Sequence, residues 1–179
     1  DVKVYYAKVM DLDRGLQKLL IDYKNSKVLD DLVIMIYGDH FPKGIFENKE
    51  DYRELCEGRG IKFETCFKTP FIIWSNDEHA QVVEKVSSTL DISPTIYDLF
   101  DLEYDYRWTL GNSVFDPSYD GFLFDEYSVI YTDNFIYDSL RNSVVHNWTK
   151  SEEAFKIEAH NLFDKLNLGF KIVETDYFN

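Results

Sequence analysis

An α/β fold followed by an antiparallel meander and a closing helix is what this chain of 179 residues predicts. Three observations carry that expectation. Apolar positions at helical spacing between Tyr5 and Lys24 lead through a polar turn into an uninterrupted apolar run, Leu32 to Tyr37. Beyond about Gly111 the pattern changes to period two, the mark of strands with one solvated face. From Ser151 to Leu166 it returns to helical spacing.

The first helix is amphipathic, with Val9, Leu12, Leu16, Leu19, Leu20 and Tyr23 on one side, acids early and lysines late, as the helix dipole favours. Asn25 and Ser26 make the turn. The strand Leu32 to Tyr37 has no polar residue on either face, so it is expected to be central and covered on both sides. Phe46 to Gly60 is charged and reads as a loop with a short helix, closed by Gly58-Arg59-Gly60. Thr69 to Trp74 (TPFIIW) is a second buried strand, with proline at its entry where a missing donor is tolerated. Asp91-Ile92-Ser93-Pro94-Thr95 supplies a cap and a first-turn proline for a short helix bearing Ile96, Leu99 and Phe100. Tyr127 to Tyr131, Asn134 to Leu140 and the SVVHNW stretch from Ser143 form the meander. The final helix opens on Ser151, with Ala154 where a full capping box would have an acid, and turns Phe155, Ala159, Leu162, Phe163 and Leu166 inward.

Composition bounds the function. A 45% hydrophobic, 17% aromatic chain has ample material for a packed core. With 33 acidic against 19 basic residues the formal charge is −14, which disfavours a broad nucleic-acid or anionic-membrane footprint. A polyanionic partner would have to be held locally, by a cation. No run approaches the ~20 apolar residues that span a bilayer, no leader is visible, and the first residue is Asp1, as in a piece of a longer product. Cys56 and Cys66 fit no zinc spacing and stand either bridged or unpaired.

The chemistry gathers at Gly38-Asp39-His40. Successive side chains of a strand point to opposite faces, so Asp39 and His40 can share an ion only where the strand has ended. Gly38 would permit that departure, placing both at the strand's carboxyl end, where open α/β sheets put their sites. A carboxylate oxygen beside an imidazole nitrogen suits Mn²⁺, Zn²⁺ or Mg²⁺; a capped turn is the structural alternative. His79, Asp91, Glu47, Asp11 and Asp13 are candidates to complete a ligand set, none at a diagnostic spacing. No nucleophile elbow or phosphate-binding glycine loop is present, and no catalytic residue is assigned.

Four motifs in order, GDH at Gly38 to His40, TPFIIW at Thr69 to Trp74, STLDISPTIYDLF at Ser88 to Phe100 and GNSVFDP at Gly111 to Pro117, resemble the C-terminal part of the sulfatase branch of the alkaline phosphatase superfamily. The helix before GDH and the meander after GNSVFDP are most similar to lipoteichoic acid synthase-like phosphoglycerol transferases. Phe41-Pro42-Lys43-Gly44 departs from the aromatic and glycine that tend to follow GDH there.

The resemblance implies an alkaline phosphatase-like partial domain, with residues 1–117 the C-terminal half of a catalytic domain and residues 118–179 the strands and final helix packed on it. It makes Asp39 and His40 ligands of one divalent metal, Mn most often, with Mg or Zn as alternatives. The remaining ligands, the threonine nucleophile and the substrate-holding groups would belong to an N-terminal half of the domain, so the chain alone would be inactive. The implied substrate is a phosphoglycerol-bearing lipid or glycopolymer, the implied location the extracellular face of the cell membrane, reached through transmembrane segments outside this chain. The alternatives are a sulfatase or phosphodiesterase fragment, or a non-catalytic glycopolymer- or protein-binding module that uses some of the 30 aromatic residues. Asp91 is expected to cap its helix, Thr95 to be structural, His79 and His146 to be surface or packing residues, and His160 to lie on the polar face of the last helix.

Overall fold

The computed structural model describes residues 2–40, 53–54, 56–58, 60, 68–76, 79–124, 128–147 and 150–177. The chain forms two compact units, Asp1–Ala80 and Gln81–Asn179. Glu47, Cys66 and the Phe41 to Gly44 stretch lie outside the described residues.

In the first unit, helix α1 (Val2–Asn25) leads through a 3-10 turn, Leu29–Asp31, into strand β1 (Val33–Tyr37), which pairs antiparallel with β2 (Phe71–Ser75). The helix starts earlier than the apolar spacing indicated. Its first turn therefore carries no acid, and Asp11 and Asp13 fall mid-helix, while Lys24 does sit in the last turn. The expected apolar face forms only in part: Leu16, Leu20 and Tyr23 are half-buried, whereas Val9, Leu12 and Leu19 are exposed.

The expectation of a central strand covered on both faces is corrected. Among the described residues strand β1 has one neighbour, in a two-stranded ribbon, and its residues are half-buried or, at Tyr37, exposed. Strand β2 alternates half-buried with exposed residues, and Ile72 and Trp74 face outward. The register sets Ile34 opposite Trp74 and Ile36 opposite Ile72, so the ribbon is apolar on both faces. Among the described residues no third strand pairs with the ribbon. Arg53, Glu54, Cys56 and Glu57 are helical, as the short helix in the charged segment requires.

The second unit closes around its own core. A 3-10 turn, Thr89–Asp91, runs into helix α2 (Ile92–Leu99), and the meander follows: β3 (Leu123–Phe124), β4 (Val129–Tyr131), β5 (Phe135–Asp138) and β6 (Ser143–Asn147), each antiparallel to the next. Helix α3 (Glu152–Glu174) packs on β5 and β6. Phe122, Ile130, Phe135, Tyr137, Phe155, Ala159 and Leu166 make a continuous core, with Leu162 and Phe163 partly buried against it. The rings of Phe135 and Phe155 lie 4.8 Å apart and tilted, a favourable aromatic arrangement.

Helix α3 keeps the predicted face and the predicted cap, since the Ser151 side chain accepts a bond from the Ala154 N–H. It continues eight residues past Leu166. Within the helix Gly169 grants close approach: a β-carbon on it would stand 2.5 Å from Leu110 Cδ1.

Candidate functional site

Strand β1 ends on Gly38, whose N–H donates to the Pro70 carbonyl at 3.0 Å and so extends the β1–β2 pairing by one bond. The reason for glycine is proximity. A β-carbon at position 38 would fall 2.7 Å from Thr69 Cβ and 3.0 Å from Thr69 Cγ2, inside van der Waals contact. Gly38 therefore lets the strand end lie close against Thr69, whereas the sequence reading had it permit a sharp backbone departure from the strand.

Asp39 and His40 follow, and their side chains come together. Asp39 Oδ2 lies 3.6 Å from His40 Nε2, with 82% and 60% of the two side chains exposed. The His40 backbone N–H donates to Asp39 Oδ1 at 2.9 Å. One carboxylate oxygen is thus tied to the main chain and the other faces the imidazole, so the pair presents an oxygen and a nitrogen from a pinned strand end.

Among the described residues no group of three His, Cys, Asp or Glu converges as a metal site. Asp11 bonds Arg14 at 3.2 Å on the surface of α1, and Asp13 and His79 are exposed. Asp91 is fully buried and committed elsewhere. Its Oδ2 accepts the Ser88 N–H at 2.8 Å, and its Oδ1 accepts the Asn112 N–H at 3.0 Å and the Tyr119 hydroxyl at 2.7 Å. Asp91 does not cap α2 with its side chain, contrary to expectation; it completes a capping box with Ser88 on the preceding 3-10 turn. Burial, and next the Asp91 acceptor, push the Tyr119 phenol well above its ordinary value, keeping it a donor.

Thr95 is structural. It is fully buried, donates to the Asp91 carbonyl at 2.6 Å and accepts the Val114 N–H at 3.1 Å. A β-carbon on Gly111 would stand 2.4 Å from Asp91 Oδ1. The DISPT and GNSVFDP motifs are therefore one interlocked assembly built on Asp91. Sequence reading missed Asn112 and Tyr119 as its partners. Only the glycine next to a polar pair, Gly111-Asn112-Ser113, signalled that a backbone approached something closely. His160 is exposed, its Nδ1 2.6 Å from the Lys156 carbonyl, as the polar-face expectation had it.

Comparison with known proteins gives the local geometry its setting. The sulfatase family sequence model matches residues 1–102, which include β1, the GDH turn and α2. The chain belongs to the sulfatase family. The family implies the alkaline phosphatase-like fold to which the mixed helices, antiparallel strands and final helix of this sulfatase chain conform. Lipoteichoic acid synthases of Staphylococcus aureus strains USA300 and NCTC 8325 / PS 47 are each 27% identical over 185 aligned residues, covering 97% of the chain. The chain spans 28% of the length of these curated relatives. Among the described residues no helix is long and apolar enough to cross a membrane.

Proposed function

We propose that this sulfatase-family chain is the C-terminal portion of a metal-dependent phosphoglycerol transferase acting on lipid- or glycopolymer-linked phosphodiesters, with Asp39 and His40 as two ligands of its divalent cation. The observation that carries the reading is the exposed pair at the end of β1, Asp39 Oδ2 3.6 Å from His40 Nε2. The donor set fits. A hard oxygen beside an imidazole nitrogen suits a first-row divalent ion, manganese in this family reading, with zinc or magnesium as alternatives. Similarity to lipoteichoic acid synthases supports the transferase class over the hydrolases of the same family.

The chain's own residues do the positioning. The Gly38 N–H to Pro70 bond fixes the strand end, and the His40 N–H to Asp39 Oδ1 bond orients the carboxylate. A cation held there would lower the pKa of a coordinated hydroxyl and neutralise charge developing on phosphoryl oxygens. It would also let a chain of formal charge −14 accept an anionic substrate. The only threonine in the DISPT motif is sealed in the core, so in this reading the nucleophile and the remaining ligands come from other sequence of a longer protein, and the exposed apolar faces of α1 and the β1–β2 ribbon seat against it. Action on the outer side of a cell membrane accords with the disulfide-bonded state of Cys56, because such bonds persist in oxidising compartments.

The test is His40→Ala in the full-length parent protein, followed by metal content and by transfer from a radiolabelled phosphoglycerol-bearing lipid. Loss of even an outer-shell partner of a metal ligand costs ~10–100-fold, so removal of a ligand is expected to cost at least ~100-fold. Full metal loading together with unchanged turnover would refute the reading.

A further inference from the structure

The end of the β1–β2 ribbon carries a cation that neither the fold nor the proposed metal ligation uses. The ribbon's register pairs Val33 with Ser75 and, step by step, Tyr37 with Phe71. The Gly38 N–H to Pro70 carbonyl bond continues it by one step, and the closeness of Thr69 to Gly38 keeps the two chains side by side there. Carried on, the same register sets Thr69 across from Asp39 and Lys68 across from His40. Residues across from each other in an antiparallel pair present their side chains on one face, so the Lys68 ammonium belongs to the face of His40.

What distinguishes Lys68 from a scatter of surface lysines is its place and its lack of employment. It is exposed, and among the described residues no carboxylate or carbonyl holds it. Asp39, the acid closest in register, directs its two oxygens to His40 instead. The other described basic residues of the first unit lie on α1, in the turn after it or in the helical stretch at Arg53, and of these Arg14 is spent on Asp11 and Lys18 on Asp22. Lys68 is thus the one described cation of this unit at the level of the Asp39–His40 pair. Its backbone is steadied by the bond between Gly38 and Pro70 two residues on, and facing chains stand about 5 Å apart, within the span of a four-carbon stem.

Charge decides what this ammonium does. In a chain with 33 acidic and 19 basic residues, an uncommitted cation one strand away from Asp39 and His40 offers an anion what most of the surface withholds. With one phosphoryl oxygen turned to the Asp39–His40 pair, a second non-bridging oxygen of the same group is left needing a donor. A lysine ammonium serves a phosphate in that way, as a point charge with three N–H donors. We propose that Lys68 is a substrate-binding residue, its ammonium donating to a non-bridging oxygen of the phosphodiester held beside Asp39 and His40. The proposal rests on the transferase reading and adds to it a group of this chain that grips the anion itself.

The test compares Lys68→Gln, Lys68→Arg and His40→Ala in the full-length parent protein, read as metal content and as transfer over a range of concentrations of the radiolabelled phosphoglycerol-bearing lipid. A hydrogen bond to a charged group contributes roughly 10–100-fold, so Lys68→Gln should lower kcat/KM by about that factor, chiefly through a raised KM, with metal content unchanged. Lys68→Arg keeps the charge and the donors and should recover most of the loss. Two results overturn the proposal: kcat/KM within about 2-fold of wild type in Lys68→Gln, or loss of metal together with activity, which would make Lys68 a support of the metal site. Failure of the transferase reading looks different. A wild type without transfer, or His40→Ala with full metal loading and turnover, refutes both, whereas His40-dependent transfer that ignores Lys68 refutes the Lys68 role alone. Because Lys68 holds nothing in the described fold, Lys68→Gln should leave the urea midpoint of the 179-residue chain unmoved; a lowered midpoint shared by Lys68→Met would mark a structural role and count against the proposal.

Discussion

Among the described residues the two compact units bury their apolar side chains very differently. In residues 81–179 seven hydrophobic side chains form one closed core, and buried Asp91, Thr95, Ser113, Thr132 and Asp138 all find partners. In residues 1–80 the one described hydrophobic residue in the buried class is Cys56, while Val9, Leu12, Leu19, Ile72 and Trp74 face solvent. Both units are comparably rich in apolar sequence. The difference shows that hydrophobic content alone does not make a core: the meander and α3 supply two layers that enclose side chains, whereas the described parts of α1 and the β1–β2 ribbon leave many of theirs exposed.

The sharpest way to break this contrast is a large-to-small change in each unit. Phe155→Ala removes a ring packed at 4.8 Å on Phe135 and should lower the stability of the second unit by about 4 kcal/mol, read as an earlier urea midpoint for near-ultraviolet circular dichroism. A loss under about 1 kcal/mol would mean that the core is looser than its burial indicates. Next in size is Asp91→Asn, which puts an amide NH₂ in place of one of the two oxygens that between them accept three donors, so at least one buried donor faces another donor; a cost of about 3 kcal/mol is expected in the same assay. Leu12→Glu, at an exposed position of α1, should change the stability of this chain by no more than about 0.5 kcal/mol. In the full-length parent the same substitution should impair assembly if α1 seats against other sequence, so an unaffected parent would count against that part of the proposal.

The smallest effect is a pH response confined to one turn. Asp105, whose carboxylate accepts the Arg107 Nε at 2.8 Å, the Arg107 backbone N–H at 3.1 Å and a weaker bond from the Trp108 side chain, is held at about 2 against an ordinary 3.8, so the folded state favours its ionised form. Its contribution is present above the ordinary value and disappears as pH falls toward the folded one. The Trp108 indole resonance should therefore stay constant from pH 7 to about 4 and move only as pH approaches 2. Movement centred near pH 4 would show that the Arg107 bonds are not kept in solution.

Much of this was readable from the residues. The GDH, TPFIIW, DISPT and GNSVFDP motifs led to the family that the comparisons show, and period two after Gly111 gave the meander. What escaped was set by tertiary context. The pairing partner of β1 is not encoded in β1 itself, and the exposure of α1 depends on whether another layer exists to cover it. Asp91 looked like a helix cap because capping is local, while its other partners, Asn112 and Tyr119, lie more than twenty positions away. The helix continues past Leu166 to Glu174, and the side chain that crowds Gly169, Leu110, lies 59 positions away in sequence. The Asp105, Arg107 and Trp108 group was local and legible in principle, as an aspartate two residues ahead of an arginine at a tight turn.

The contact between Gly38 and Thr69 binds the fate of the GDH turn to a residue with no chemistry of its own. Enlarging position 38 would push against a β-branched neighbour, and the displaced backbone is the one that carries Asp39 and His40. Substitutions there should be tolerated only in compensated pairs, Gly38→Ala together with Thr69→Gly, so the two positions are expected to drift jointly in descendants of this chain.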